Sequence, residues 1–79
     1  MYTWNASGEE NANLYVGSAA RNVLILNDCP RKLRVRLNDD GGDEHSLLPQ
    51  SAGVFSAARV MLLHPGPGTT VWGRFELID

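Results

Sequence analysis

Lys32-Leu33-Arg34-Val35-Arg36-Leu37-Asn38 alternates polar and apolar side chains without a break. A period of two belongs to a β-strand, whose successive side chains point to opposite faces. Leu33, Val35 and Leu37 therefore share the core face, and Lys32, Arg34, Arg36 and Asn38 share the other. A helix would scatter these residues around its circumference.

The flanking segments follow the same grammar. Upstream, Val23-Leu24-Ile25-Leu26 within 22–26 suits a strand covered on both faces. Asn27-Asp28-Cys29-Pro30 is a turn, because Asn and Asp bond back to the backbone and Pro cannot donate to a ladder. The spacing predicts an antiparallel hairpin of 22–26 with 32–38. Leu14-Tyr15-Val16 is a brief strand ended by Gly17-Ser18. Residues 1–12 are polar apart from alternating Tyr2 and Trp4 and form an arm or a first edge strand.

Downstream, Asp39-Asp40-Gly41-Gly42-Asp43-Glu44 is an acidic loop. His45 to Leu48 is a short strand broken at Pro49, and Gln50 to Gly53 turns the chain. Val54 to Ser56 and Val60 to Leu63 are apolar runs, separated or bent at Ala57-Ala58-Arg59; Ala57 to Leu63 has room for one helical turn. Pro65-Gly66-Pro67-Gly68 interrupts regular structure. Thr69 to Ile78 is the last strand, with Trp72 and Phe75 expected in the core or half in it. Gly73 in its middle marks a bulge or a close backbone approach. Strand starts near 14, 22, 32, 45, 54, 60 and 70 predict an all-β fold. The expected form is a small antiparallel β-sandwich or partly open barrel of about six to seven short strands. Residues 13–79 make its single domain.

At 79 residues the margin of stability is thin. The one cysteine, Cys29, forms no intramolecular disulfide, which leaves self-association or docking onto a larger assembly as the expected support. The formal charge of −2 argues against a nucleic-acid partner. No apolar run approaches the roughly 20 residues that span a bilayer, and Met1 to Gly8 lacks the pattern of a signal peptide. The expected location is the cytoplasm, or the virion for a phage-encoded chain. On the same ground Asn5-Ala6-Ser7, although it matches a glycosylation sequon, is expected to stay unmodified.

The residues that carry chemistry do not combine into a site. Cys29, His45 and His64 show no zinc spacing. Asp39, Asp40, Asp43 and Glu44 are hard oxygen ligands, yet a calcium loop counted from Asn38 closes on Pro49 instead of glutamate. Asp43, His45 and Ser46 hold the letters of a triad, but neighbours on a strand point to opposite faces. Arg31 and Lys32 beside Cys29 favour a thiolate, though no base stands by to use it. Gly66-Pro67-Gly68 opens no helix and lacks the further glycine of a dinucleotide loop. No enzyme, cofactor, metal or small-molecule substrate is expected.

Binding is the remaining expectation. Arg31, Lys32, Arg34 and Arg36 form a basic ribbon next to the acidic loop. Such a ribbon either guards an edge against aggregation or meets an acidic neighbour, including a second copy. Tyr2 and Trp4 either pack on the chain's own core or anchor a partner, as those residue types do at interfaces. They are also suited to stacking on a sugar. The candidate partner-binding residues are thus Tyr2, Trp4, Arg31, Lys32, Arg34 and Arg36.

Across 22–78, the strand ending in Asn-Asp, the charged strand and the glycine loop precede Leu48-Pro49-Gln50-Ser51-Ala52-Gly53-Val54-Phe55, and Thr70 to Ile78 closes the chain. This order resembles small virion proteins of tailed bacteriophages. The resemblance implies a β-sandwich that decorates, cements or completes a capsid or tail through protein–protein contacts. It rests on turn signatures and carries over no functional residue. The alternative expectation is a monomeric binding module, either an inhibitor of a host protein or a glycan binder.

Overall fold

The alternation at 33–37 is borne out side chain by side chain. Leu33, Val35 and Leu37 are buried, while Arg34 and Arg36 are half-buried on the opposite face. The computed structural model describes residues 1–38 and 44–78. It is all-β, with β1 (Tyr2–Gly8), β2 (Ala12–Asn27), β3 (Leu33–Leu37), β4 (Glu44–Leu47), β5 (Ala52–Leu62) and β6 (Gly66–Leu77). Its one sheet has six strands in the order β1-β6-β2-β5-β3-β4, and every ladder is antiparallel.

The sheet curls into a half-barrel, as its core requires. Trp4 and Ala6 of β1, Val71 of β6 and Val23 and Ile25 of β2 belong to one buried cluster with Leu33, Val35 and Leu37 of β3 and Leu47 of β4. Strands from both ends of the sheet order share an interior only when the two wings face each other. Val60 and Leu62 of β5 complete it. Each fully buried aliphatic side chain stabilises the fold by about 1.5–3 kcal/mol relative to exposure.

Two long strands make the bend. Residues 14–16 and 22–26, expected as separate strands, belong to the continuous β2, and 54–56 and 60–62 merge into β5, which ends before Leu63 and leaves no helical turn at 57–63. The merger is possible because the break became a bulge. Val16 pairs with Arg59 and Arg21 with Ala57, so β2 carries extra residues at the corner. Those residues, Gly17-Ser18-Ala19-Ala20, are all small, and Ala57-Ala58 lie opposite. At Gly17 a Cβ would run into the Tyr15 ring, whose hydroxyl donates to the Ala19 carbonyl at 3.1 Å. Asn38, with φ of 66°, fixes the β5 side by accepting from the Ala58 N–H at 3.3 Å.

The hairpin predicted for 22–26 with 32–38 is not formed. β5 lies between β2 and β3 and pairs with both, so β2 and β3 run parallel. A parallel crossover in a flat sheet needs about a dozen residues or more. Residues 28–32 suffice here because the curl brings the end of β2 to the start of β3. Asn27 secures that meeting from a position only 1% exposed. Its Nδ2 donates to the carbonyls of Arg31 at 2.7 Å and Leu48 at 3.1 Å. Its Oδ1 accepts from the Cys29 N–H at 3.1 Å and the thiol at 3.0 Å. Its backbone N–H donates to Ser51 at 2.8 Å.

The last strand also differs from expectation. β6 begins at Gly66 and runs through Pro67 and Gly68. It does so irregularly, with positive φ at Gly66 and Gly68, which glycine adopts without steric cost. The register with β1 shifts between Ser7 and Gly8. Gly73 is a close approach: a Cβ there would meet the Leu26 carbonyl oxygen and stand 2.6 Å from the Trp4 indole.

Candidate functional site

The curl divides the six candidate residues among different surroundings. Tyr2 and Trp4 lie on β1 with the same pleat direction, opposite Phe75 and Gly73 of β6. Trp4 is 8% exposed and fills the space that Gly73 leaves beside it. It is a core residue, which corrects its assignment as a partner anchor: the pleat directs it inward and glycine gives the indole room. Its Nε1 is buried without a hydrogen-bond partner. Tyr2, at the start of β1, stays 66% exposed with its ring 5.4 Å from that of Phe75.

The basic ribbon divides as well. Arg36 stands opposite Glu44 in the β3–β4 ladder, 3.6 Å from its carboxylate. Such a pair guards its own sheet. Arg31, Lys32 and Arg34 instead line a cleft of about 270 Å³ with Leu33, Leu63, His64, Pro65, Thr69 and Val71. Position in the half-barrel explains the opening. β2 accompanies β6 only to the Asn27–Gly73 pair, with a last bond from the Asp28 N–H to the Trp72 carbonyl at 3.2 Å. Upstream of that point Thr69 and Val71 look across an unclosed seam at the start of β3.

Arg34 is held at the seam by donating from Nη2 to the His64 carbonyl at 3.2 Å. The His64 N–H in turn donates to Asn11 Oδ1 at 2.8 Å. Among the described residues neither Arg31 nor Lys32 has an ion-pair partner, and no carboxylate lines the cleft. His64 Nδ1 is buried and unpartnered. Sequence spacing found the cations but missed His64, Pro65 and Thr69. They come from thirty or more positions away, across a seam that only the curl creates.

The outer face of β6 holds a second feature. Trp72, expected in or near the core, is 43% exposed. Val71 and Gly73 point inward, so Trp72 and Arg74 point out. The alternation around Arg74 and Glu76 carried that signal. Arg74 donates from Nε and Nη2 to the two carboxylate oxygens of Asp28, at 2.9 and 3.0 Å. These hydrogen bonds hold the Asp28 carboxyl below its usual range.

Among the described residues, two edges of the sheet have no strand beyond them, β1 and β4. β1 runs seven residues, Tyr2–Gly8, with no charge and no proline. β4 runs four, Glu44–Leu47, and begins on the Arg36 partner. His45 rests on Phe55, ring centroids 5.5 Å apart. Cys29 is fully buried and bonded to Asn27, as befits a packing thiol.

Among the described residues, no group of three or more His, Cys, Asp or Glu side chains is placed to hold a metal ion. Of the acidic loop, residues 39–43 lie outside the described residues. Compared with protein families, with curated proteins and with solved structures, the chain and its fold match none.

Proposed function

We propose that the protein works by assembly, as a structural component that adds itself to a second copy or to a larger protein lattice. The capsid or tail of a bacteriophage is the lattice its turn signatures favour. The observation that carries this is the free edge of β1. Natural edge strands are blunted by charge, proline, shortness or a bulge, and Tyr2 to Ser7 carries none of these before the register shift at Gly8. Thr3, Asn5 and Ser7 present small polar side chains along the exposed face. An extended partner strand gains main-chain hydrogen bonds from such an edge without removing a guard. Tyr2 adds an exposed aromatic at one end.

Sedimentation over a range of concentrations tests this, alone and with capsid or tail particles. The expected result is concentration-dependent association or binding to the particles. It should be lost in Thr3→Lys/Asn5→Lys with circular dichroism unchanged. A chain that stays monomeric at high concentration and binds no particle sinks the proposal.

Exposed Trp72 favours a second reading, a monomeric glycan-binding module that stacks a sugar on the indole. Saturable quenching of tryptophan fluorescence by an oligosaccharide, abolished by Trp72→Ala, would select it.

A further inference from the structure

We propose that the seam cleft between β3 and the β5–β6 connection binds a small phosphorylated molecule. The phosphoryl group would sit among Arg31, Lys32 and Arg34, with a short carbon body on Leu33, Leu63 and Val71. The cleft is separate from the β1 edge, so this assignment stands or falls independently of assembly.

Charge is the first ground. Three cations converge on one opening that, among the described residues, no carboxylate lines. Arg36, further along the same face of the strand and outside the cleft, has Glu44. Like charges gathered in a partly enclosed space repel each other more than on open surface, because less water screens them. Among the described residues, the fold answers that repulsion with a neutral acceptor, the His64 carbonyl. An anion would answer it fully.

Shape is the second. At about 270 Å³ the cleft lies just below the usual range for small-molecule sites, roughly 300–1,000 Å³. It therefore suits a ligand of few atoms. Its floor is apolar, with Leu33, Leu63 and Val71 all buried, and its rim polar. That division fits an anion with a small carbon body.

Chemistry is the third. A phosphate monoester brings close to two charges and three terminal oxygens. Arginine and lysine donors match these more completely than they match one carboxylate. The Thr69 hydroxyl on the facing wall adds a neutral donor.

Titration of the full chain with inorganic phosphate, phenyl phosphate, benzoate and a tetraglutamate peptide, read by amide chemical shifts, tests the assignment. Saturable shifts confined to residues 31–34 and 63–71 are expected, with phenyl phosphate bound about tenfold or more tighter than inorganic phosphate. Lys32→Gln, at an exposed position, should weaken phenyl phosphate about tenfold while leaving the fold intact, as expected for a lost charge-assisted bond. Arg34→Gln should weaken it further, and the exposed Lys32 variant decides the matter if Arg34→Gln unfolds. Absence of saturation overturns the assignment, as do shifts outside the cleft or indifference to Lys32→Gln. Tighter binding of benzoate or tetraglutamate also overturns it, the latter by making the cleft a contact for acidic protein.

Discussion

The two edges of the sheet meet the same physical hazard and resolve it differently. Both present unpaired backbone groups. β4 is short, and its first residue, Glu44, is paired across the ladder with Arg36. β1 is nearly twice as long and uncharged, yet it holds one of the largest core side chains in the molecule, Trp4. The guarded edge can be changed at its exposed residues, Glu44 to Ser46, at little cost to the fold. The open edge tolerates such changes only on its outward face, because Trp4 and Ala6 on its inward face are part of the core. The difference shows that association and stability can share one strand, divided between its two faces.

The strongest way to break this comparison is Trp4→Ala, which should destabilise the fold by about 3–5 kcal/mol, read by urea unfolding. Trp4→Phe should cost clearly less, since it removes the unpartnered indole N–H together with only part of the volume. Gly73→Ala comes next, at about 1–3 kcal/mol, because its methyl meets the Leu26 carbonyl and the Trp4 ring. If it unfolds the protein no more than an exposed substitution, β1 is not seated as described.

At the other edge, Glu44→Ala should cost only about 0.2–1 kcal/mol. Its effect should instead be new concentration-dependent association through β4, visible by sedimentation in the Thr3→Lys/Asn5→Lys background. The smallest effect belongs to Asp28, half-buried and bound to Arg74. Its carboxyl is held below the ordinary value of 3.8 by the Arg74 hydrogen bonds. A depressed folded-state value contributes stability above the unfolded carboxylate range and loses it as pH falls through the folded one. Wild type should therefore lose slightly more stability than Asp28→Asn when acidified from about pH 5 to pH 2, in matched thermal melts.

Local alternation made much of the fold legible. Leu33, Val35 and Leu37 settle their own strand, and the glycine at 73 announced the close approach that the Trp4 indole occupies. Pairing was less legible. Five residues between Asn27 and Leu33 read as a hairpin turn because a parallel crossover that short needs a sheet folded back on itself. Nothing local encodes the fold-back except the small residues at 17–20 and 57–58. The cationic half of the cleft was visible in 31–34. Its other wall was not, since His64 and Thr69 become neighbours only through the curl.

Strand order also has a consequence for synthesis. β3 and β4 are the one pair adjacent in both sequence and sheet, whereas β6 must join β1 on one side and β2 on the other. Non-local pairing of this kind slows folding. On the ribosome, the seat for β1 does not exist until the β6 segment has emerged. Tyr2 to Ser7 therefore stays unpaired along both sides until then, with the Trp4 indole in water. A nascent chain in that state is a substrate for chaperones and for its own neighbours on a polysome. Productive pairing and premature aggregation would compete for the same six residues.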